Sequence, residues 1–337
     1  MEKLLEVENL SVSYFTYAGE VQSVRGISFD VKKGKTTALV GESGCGKSVT
    51  AKSLMGLIEK PGKVKPESKI IYQGKELTGY TEKEWNTFRG KECSMVFQDA
   101  LVSLNPTMKV GKQIAENLKN HESSLSKEEI YQKSLEMLKQ TGVPDPEGCM
   151  NKYPHELSGG MRQRVMIACA MVTHPQLLIA DEPTTALDVT IQAQIIALME
   201  ELQEKLGMSI IIITHDLGVV ADMADEIIVM YGGRVCERGT ADAIFYDPRH
   251  EYTKGLLRSI PSVSRMKERL VPIGGTPINL LNMPKGCAFC ARCDKAMKIC
   301  LDTVPEELRV GETHLASCWM NVKAQYEAEN GGISNEQ

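Results

Sequence analysis

Residues 35–58, KTTALVGESGCGKSVTAKSLMGLI, constrain the fold more than any other stretch of the chain. A short buried-type strand (KTTALV) runs straight into GESGCGKS, and a segment of helical apolar period follows. Strand, glycine loop and helix form the context in which G-x-x-x-x-G-K-[ST] reads as a phosphate-binding loop. The backbone amides around Ser43, Gly44, Cys45 and Gly46, with Val49 in the first helical turn, can wrap phosphates. Lys47 can reach the terminal phosphates, and the Ser48 hydroxyl can hold Mg²⁺. The helix adds its positive dipole end to the same site. Cys45 reads first as a small residue that fits a variable loop position. A second expectation is that the helix terminus and Lys47 acidify its thiol, making it a maleimide target that ATP protects.

The rest of the chain continues the α/β pattern. Residues 4–31 alternate like strands around the loop FTYAGE. Residues 105–155 turn polar and helical and are interrupted by Pro144, Pro146 and Pro154, as a helical insertion would be. Strand-like LLIAD (177–181), a helix over 189–206, strand-like SIIIIT (209–214) and strands near 226–238 follow. This order predicts a mostly parallel sheet flanked by helices. The expected division is an ATPase domain over 1–259 with a helical insertion at about 100–172, then a proline-rich linker over 260–284. A cysteine-rich module over 285–320 and a frayed polar tail over 321–337 complete it. The start, MEKLLEVENL, lacks the apolar core of a secretory signal, and the apolar runs are of strand length, below the ~20 residues of a membrane helix. A net charge of −5 argues against a broad nucleic-acid-binding face.

Two further stretches bear on phosphate chemistry. LLIADEP ends a strand in two acids, and because strand side chains alternate, Asp181 and Glu182 face different tasks. Asp181 suits the Mg²⁺ second shell, and Glu182 is placed to orient or deprotonate an attacking water. LSGGMRQR (157–164) puts Ser158 and two glycines at a second helix start.

Taken together, these motifs resemble the ATP-binding cassette (ABC) ATPases over roughly residues 4–255. The resemblance implies an ABC-type nucleotide-binding fold of a parallel sheet, an antiparallel β subdomain and a helical insertion. It implies that Gln98, in VFQD, touches Mg²⁺ and senses a membrane partner, and that His215, in IITHD, contacts the γ-phosphate and acts with Glu182 in catalysis. It puts Asp188 at a dimer seam and makes Tyr14 the adenine-stacking candidate, ahead of Phe15 and Tyr17. Ser158, Gly160 and Gln163 would complete the site on a second cassette.

The wording of GESGCGKSVTAKSLMGL, FQDALVSLNPTMKVGKQI, ADEPTTALDVTIQAQI and DPRHEYTKGLL is similar to the ATP-binding subunits of bacterial oligopeptide, dipeptide and nickel importers. That implies a second, different ATPase subunit, two membrane permeases and an extracytoplasmic solute-binding protein as partners. It places the chain on the cytoplasmic face of the inner membrane. Residues 98–110 would then receive a permease helix. The alternatives are another small-solute importer of the same family, a DNA-repair ATPase with a zinc module, and a non-catalytic assembly protein. The acidic charge opposes the second and the intact Glu182 and His215 oppose the third.

Five of the ten cysteines crowd into GCAFCARCDKAMKIC and HLASCW. In a reducing compartment such a crowd indicates a metal rather than disulfides. Spacing alone leaves zinc and an iron–sulfur cluster both open. The stretch resembles the C-terminal extension of the peptide-importer ATPases. That resemblance implies a [4Fe–4S] cluster on Cys287, Cys293, Cys300 and Cys318, with Cys290 at a position where the family needs no cysteine.

Overall fold

A computed structural model describes residues 2–185, 187–259 and 272–330. The chain begins with the long hairpin β1 (Lys3–Thr16) and β2 (Gly19–Lys32), followed by β3 (Thr36–Val40) and α1 (Lys47–Leu54). Short strands β4 (Gly62–Val64), β5 (Lys69–Tyr72) and β6 (Lys75–Glu76) lead through α2 (Glu82–Phe88) to β7 (Cys93–Val96). The helical part holds α3 (Ala100–Ser103), α4 (Val110–His121), α5 (Lys127–Gln140), α6 (Pro146–Asn151) and α7 (Gly159–Met171). Alternation then returns with β8 (Leu177–Asp181), α8 (Val189–Leu206), β9 (Ser209–Thr214), α9 (Leu217–Val220), β10 (Glu226–Tyr231), β11 (Arg234–Thr240), α10 (Ala241–Tyr246) and α11 (Glu251–Ser259). The C-terminal segment contributes a single turn at Cys290–Arg292, α12 (Ile299–Asp302), β12 (Leu308–Arg309), β13 (Leu315–Ala316) and α13 (Trp319–Asn330).

One sheet is antiparallel, in the order β2-β1-β5-β6 with β4 also on β1. The other runs β12-β13-β11-β10-β3-β9-β8-β7 and is parallel from β10 to β7. A parallel sheet covered on both faces needs apolar side chains on both. Along β9, Ile210 and Ile212 join the core beneath the helices, while Ile211 and Ile213 join the core shared with the antiparallel sheet. Leu178 and Ala180 divide from Leu177 and Ile179 in the same way on β8. This two-sided burial is why LLIAD and SIIIIT are uninterrupted apolar runs.

The C-terminal segment is built onto this sheet. Strand β13 pairs with β11 through Glu237↔Ala316 and Arg238↔Leu315, and β12 extends it by one more strand. Between β11 and β13 the Glu237 carboxylate is fully buried; it receives the amides of Arg249 (2.5 Å) and His250 (2.8 Å) and faces His314 Nε2 at 2.7 Å. Residues 272–284 of the expected linker are irregular, and residues 260–271 lie outside the described residues. The tail departs from expectation: residues 319–330 form α13 rather than a frayed end. Its Ala, Gln, Glu and Lys residues favour a helix even where few side chains are buried. Residues 331–337 lie outside the described residues.

Candidate functional site

All five residues of β3 are buried, and the loop that leaves it turns where only glycine fits. A Cβ on Gly41 (φ 158°) would lie 2.3 Å from the Met230 carbonyl oxygen. A Cβ on Gly46 (φ 105°) would lie 2.3 Å from that of Ser23, so the left-handed turn into α1 also demands close backbone approach. Lys47 is buried, and its Nζ donates to the carbonyls of Gly41 (2.6 Å) and Glu42 (3.0 Å). One residue on, Ser48 Oγ donates to Asp181 Oδ1 at 2.9 Å. Burial raises the Asp181 carboxyl above its ordinary range; the Ser48 hydrogen bond opposes the rise, and the Glu182 charge adds to it. The oxygens of Ser48 and of Asp181, the latter next in sequence to the Glu182 carboxylate that Gln98 contacts, make a hard, oxygen-rich donor set that suits Mg²⁺.

Glu182 begins the loop after β8 with φ 46°, a left-handed backbone rarely adopted by residues other than glycine, asparagine and aspartate. Its Oε2 accepts from Gln98 Nε2 (2.7 Å) and Thr185 Oγ1 (2.8 Å), and its Oε1 lies 3.4 Å from His215 Nδ1. Gln98 follows β7, Glu182 follows β8 and His215 follows β9, and these strands are neighbours in the parallel sheet. Their carboxyl ends thus gather three residues singled out in the sequence, in the place where α/β sheets bind ligands. Thr185 was not anticipated; the signal was available in its position three residues past Glu182.

The other expected residues are placed by local structure. Ser158 caps α7, accepting from the Met161 amide at 3.3 Å, and Asp188 caps α8, accepting from the Ile191 amide at 3.0 Å. The two helix starts touch, since a Cβ on Gly160 would sit 3.1 Å from Ile191 Cγ2. Ser158 and Asp188 are both exposed, and among the described residues no hydrogen bond or ion pair joins Ser158 to residues 41–48. Gln163 is buried, and its Nε2 has no partner among the described residues. Tyr14 is half-buried on β1 opposite Gly62, while Phe15 and Tyr17 are exposed. The Phe15 ring lies under the ammonium groups of Lys63 and Lys65, each 5.6 Å from its centroid.

One expectation about cysteine is corrected and a second finds no support in the structure. Cys45 is 5% exposed, and burial pushes its thiol up despite the nearby Lys47, so it is not an acidified nucleophile. Desolvation of the thiolate outweighs the single neighbouring cation. The thiols of Cys287, Cys290, Cys293, Cys300 and Cys318 share one region, where a thiolate formed on one would raise its neighbours. Yet among the described residues no three Cys, His, Asp or Glu side chains stand close enough to hold a metal, so the expected four-thiol ligand set is not assembled. Burial pushes Cys287 up to about 11 and raises Cys293 and Cys318 as well.

Comparison with known proteins agrees with this geometry. A family model described as "ABC transporter" matches residues 24–185, and one described as "Oligopeptide/dipeptide transporter, C-terminal region" matches residues 236–300. The chain is similar to the Dipeptide transport ATP-binding protein DppD of Lactococcus lactis subsp. cremoris: 53% identical over 319 residues, 95% of this chain and 91% of that protein. It is 54% identical over 319 residues to the Oligopeptide transport ATP-binding protein OppD of Bacillus subtilis, covering 94% of this chain and 89% of the relative. Among solved structures, the post-hydrolysis dimer of the ATP-binding cassette MJ0796 bound to ADP and Pi aligns with a TM-score of 0.64 at 26% identity. That alignment covers 71% of this chain and 99% of the other.

Proposed function

Because this chain belongs to the ATP-binding subunits of ABC-type oligopeptide and dipeptide importers, we propose how its residues bind and hydrolyse the ATP that drives uptake. The observation that supports this reading best is the convergence of Gln98, Glu182 and His215 beside the Ser48–Asp181 pair. Lys47 would leave the carbonyls of Gly41 and Glu42 for the terminal phosphates, while the loop amides from Ser43 to Ser48 wrap them. Ser48 and Gln98 would hold Mg²⁺, which when bound neutralises phosphate charge, and Asp181 would stand in its second shell. Glu182 would orient water and accept its proton, and His215, whose Nδ1 lies 3.4 Å from the same carboxylate, would contact the γ-phosphate. Tyr14 is proposed as the adenine platform.

Ser158 and Asp188 are exposed on touching helix starts and do not reach the chain's own phosphate loop. This supports a site completed by a second ATPase subunit, with Ser158 and Gly160 facing the partner's nucleotide; Gln163 is buried and does not belong to that exposed set. Among the described residues no helix is long and apolar enough to cross a membrane. The proposed placement is therefore peripheral, on the cytoplasmic face of the inner membrane, against two permeases supplied by an extracytoplasmic peptide-binding protein. Residues 98–110 are proposed as the permease contact, and the exposed Val102 within that stretch supports it. The [4Fe–4S] reading of Cys287, Cys293, Cys300 and Cys318, with zinc as its alternative, rests on the resemblance alone, since among the described residues no three ligands stand together.

The test is reconstitution with the two permeases and the second ATPase in vesicles, with uptake of a labelled peptide followed with and without ATP. ATP-dependent accumulation that is lost in Glu182→Gln is expected. Accumulation at the wild-type rate in that variant would overturn the assignment of Glu182.

A further inference from the structure

We infer that Arg292, inside the C-terminal cysteine run, is a positioning residue for the phosphate loop: its guanidinium grips the Glu42 carboxylate and offsets the one acid in that loop. Glu42 is the second residue of GESGCGKS, and Arg292 lies 250 residues further on, between Cys290 and Cys293. Arg292 Nη1 donates to Glu42 Oε2 at 2.6 Å and Nη2 to Oε1 at 2.9 Å, the forked geometry that makes Arg–carboxylate pairs strong. The Arg292 side chain is 5% exposed. Its remaining donor capacity goes to the Gly274 carbonyl (2.8 Å), the Ile273 carbonyl (3.3 Å) and Tyr231 Oη (3.2 Å).

Every polar group of Glu42 is engaged. Its amide donates to Tyr252 Oη at 2.7 Å, its carbonyl accepts from Lys47 Nζ, and its carboxylate is held by Arg292. Phe289, three residues before Arg292, is buried among Tyr231, Tyr252 and His250, with ring centroids 5.2, 5.3 and 5.9 Å away. The cysteine run is thus plugged into the body of the ATPase at the two tyrosines that also touch Glu42 and Arg292.

The physical need follows from charge. A loop that wraps a polyanion with backbone amides is weakened by a carboxylate of its own, since two like charges several ångströms apart at a protein surface repel. A neutralising guanidinium removes that repulsion and fixes the carboxylate away from the amides. Lysine would supply the charge without the fork.

The inference rests on residues 41–48 being the ATP site, so binding of a non-hydrolysable ATP analogue with Mg²⁺ is measured on the full chain. Arg292→Met is expected to raise Kd about tenfold, with turnover at saturating ATP falling much less. Adding Glu42→Gln to Arg292→Met is expected to recover most of the lost affinity, which a merely structural arginine would not permit. Should Arg292→Met fail to melt cooperatively, Arg292→Lys provides the readout, with a Kd between wild type and the double variant's parent. Unchanged affinity in Arg292→Met or Arg292→Lys, or weakened affinity that Glu42→Gln does not restore, would overturn the inference. Failure of the wild-type chain to bind the analogue would instead overturn the assignment of the ATP site.

Discussion

Gln98 Nε2 and Glu182 Oε2 are 2.7 Å apart, so the residue that follows β7 holds the carboxylate that follows β8. With Thr185 on the same oxygen and His215 near the other, Glu182 is restrained from three directions before any water arrives. In its proposed role as base, a carboxylate so restrained is preorganised in direction.

Glu182→Gln keeps an oxygen that can accept from Gln98 and Thr185, so the loop should hold its shape. Nucleotide binding is expected to persist while single-turnover hydrolysis falls on the order of 10²- to 10⁴-fold, as the loss of a general base does. Turnover within a few-fold of wild type would remove Glu182 from the chemistry.

Lys47→Ala acts at a different step. The ammonium that the Gly41 and Glu42 carbonyls hold beside the loop is lost, so the nucleotide Kd should rise on the order of 100-fold, as expected for a charge-assisted contact. Equilibrium binding, not turnover, is the measurement that checks it.

Cys45 should resist maleimide at neutral pH equally with and without ATP, because its thiol is buried and protonated. Labelling should appear only with denaturant. Mass mapping of the modified peptide decides the matter, and rapid nucleotide-sensitive labelling would contradict the buried geometry.

His250 supplies a pH dependence. Burial lowers its imidazole to about 4, below the ordinary 6.5, and its Nδ1 accepts from the Tyr252 amide. The folded chain therefore binds fewer protons than the unfolded chain between these values. Its stabilising contribution is present above pH 6.5 and is lost as pH falls towards 4. The loss amounts to about 3 kcal/mol. His250→Gln, which retains an acceptor but does not titrate, should flatten this limb of denaturant midpoint against pH; an unaltered slope would assign it to other groups.

The cysteine run has a direct assay. If the four-thiol reading holds, anaerobically purified protein should carry about four irons with matching sulfide per chain. Cys300→Ser should lose them and Cys290→Ser should not. One zinc and no sulfide would refute the cluster.

Much of the parallel sheet was legible in the sequence. The expected strands at 177–181 and 209–214 and the helix at 189–206 coincide with β8, β9 and α8. Their apolar runs are bounded by hard signals: Asp188 caps one end of α8, and Gly207, at φ 65°, ends the other. The site motifs were legible for the same local reason. What escaped was long-range. The Arg292–Glu42 grip leaves no periodic trace, and β13 and β12 are two-residue strands defined only by pairing, β13 with β11 and β12 with β13. Glu237 looks like a surface residue in RVCERGT, yet it is fully buried because distant His314 and the amides of Arg249 and His250 satisfy it. Burial of Cys45 likewise depends on neighbours outside its loop, including Met230 and Tyr252.

The left-handed backbone at Glu182 sets two selection pressures against each other. Glycine or asparagine would adopt φ 46° at lower conformational cost, by roughly 1 kcal/mol. A library sorted for heat resistance alone would therefore enrich for replacements at 182, and each would discard the carboxylate. Stability-guided engineering of this ATPase must hold that position fixed and look for gains elsewhere.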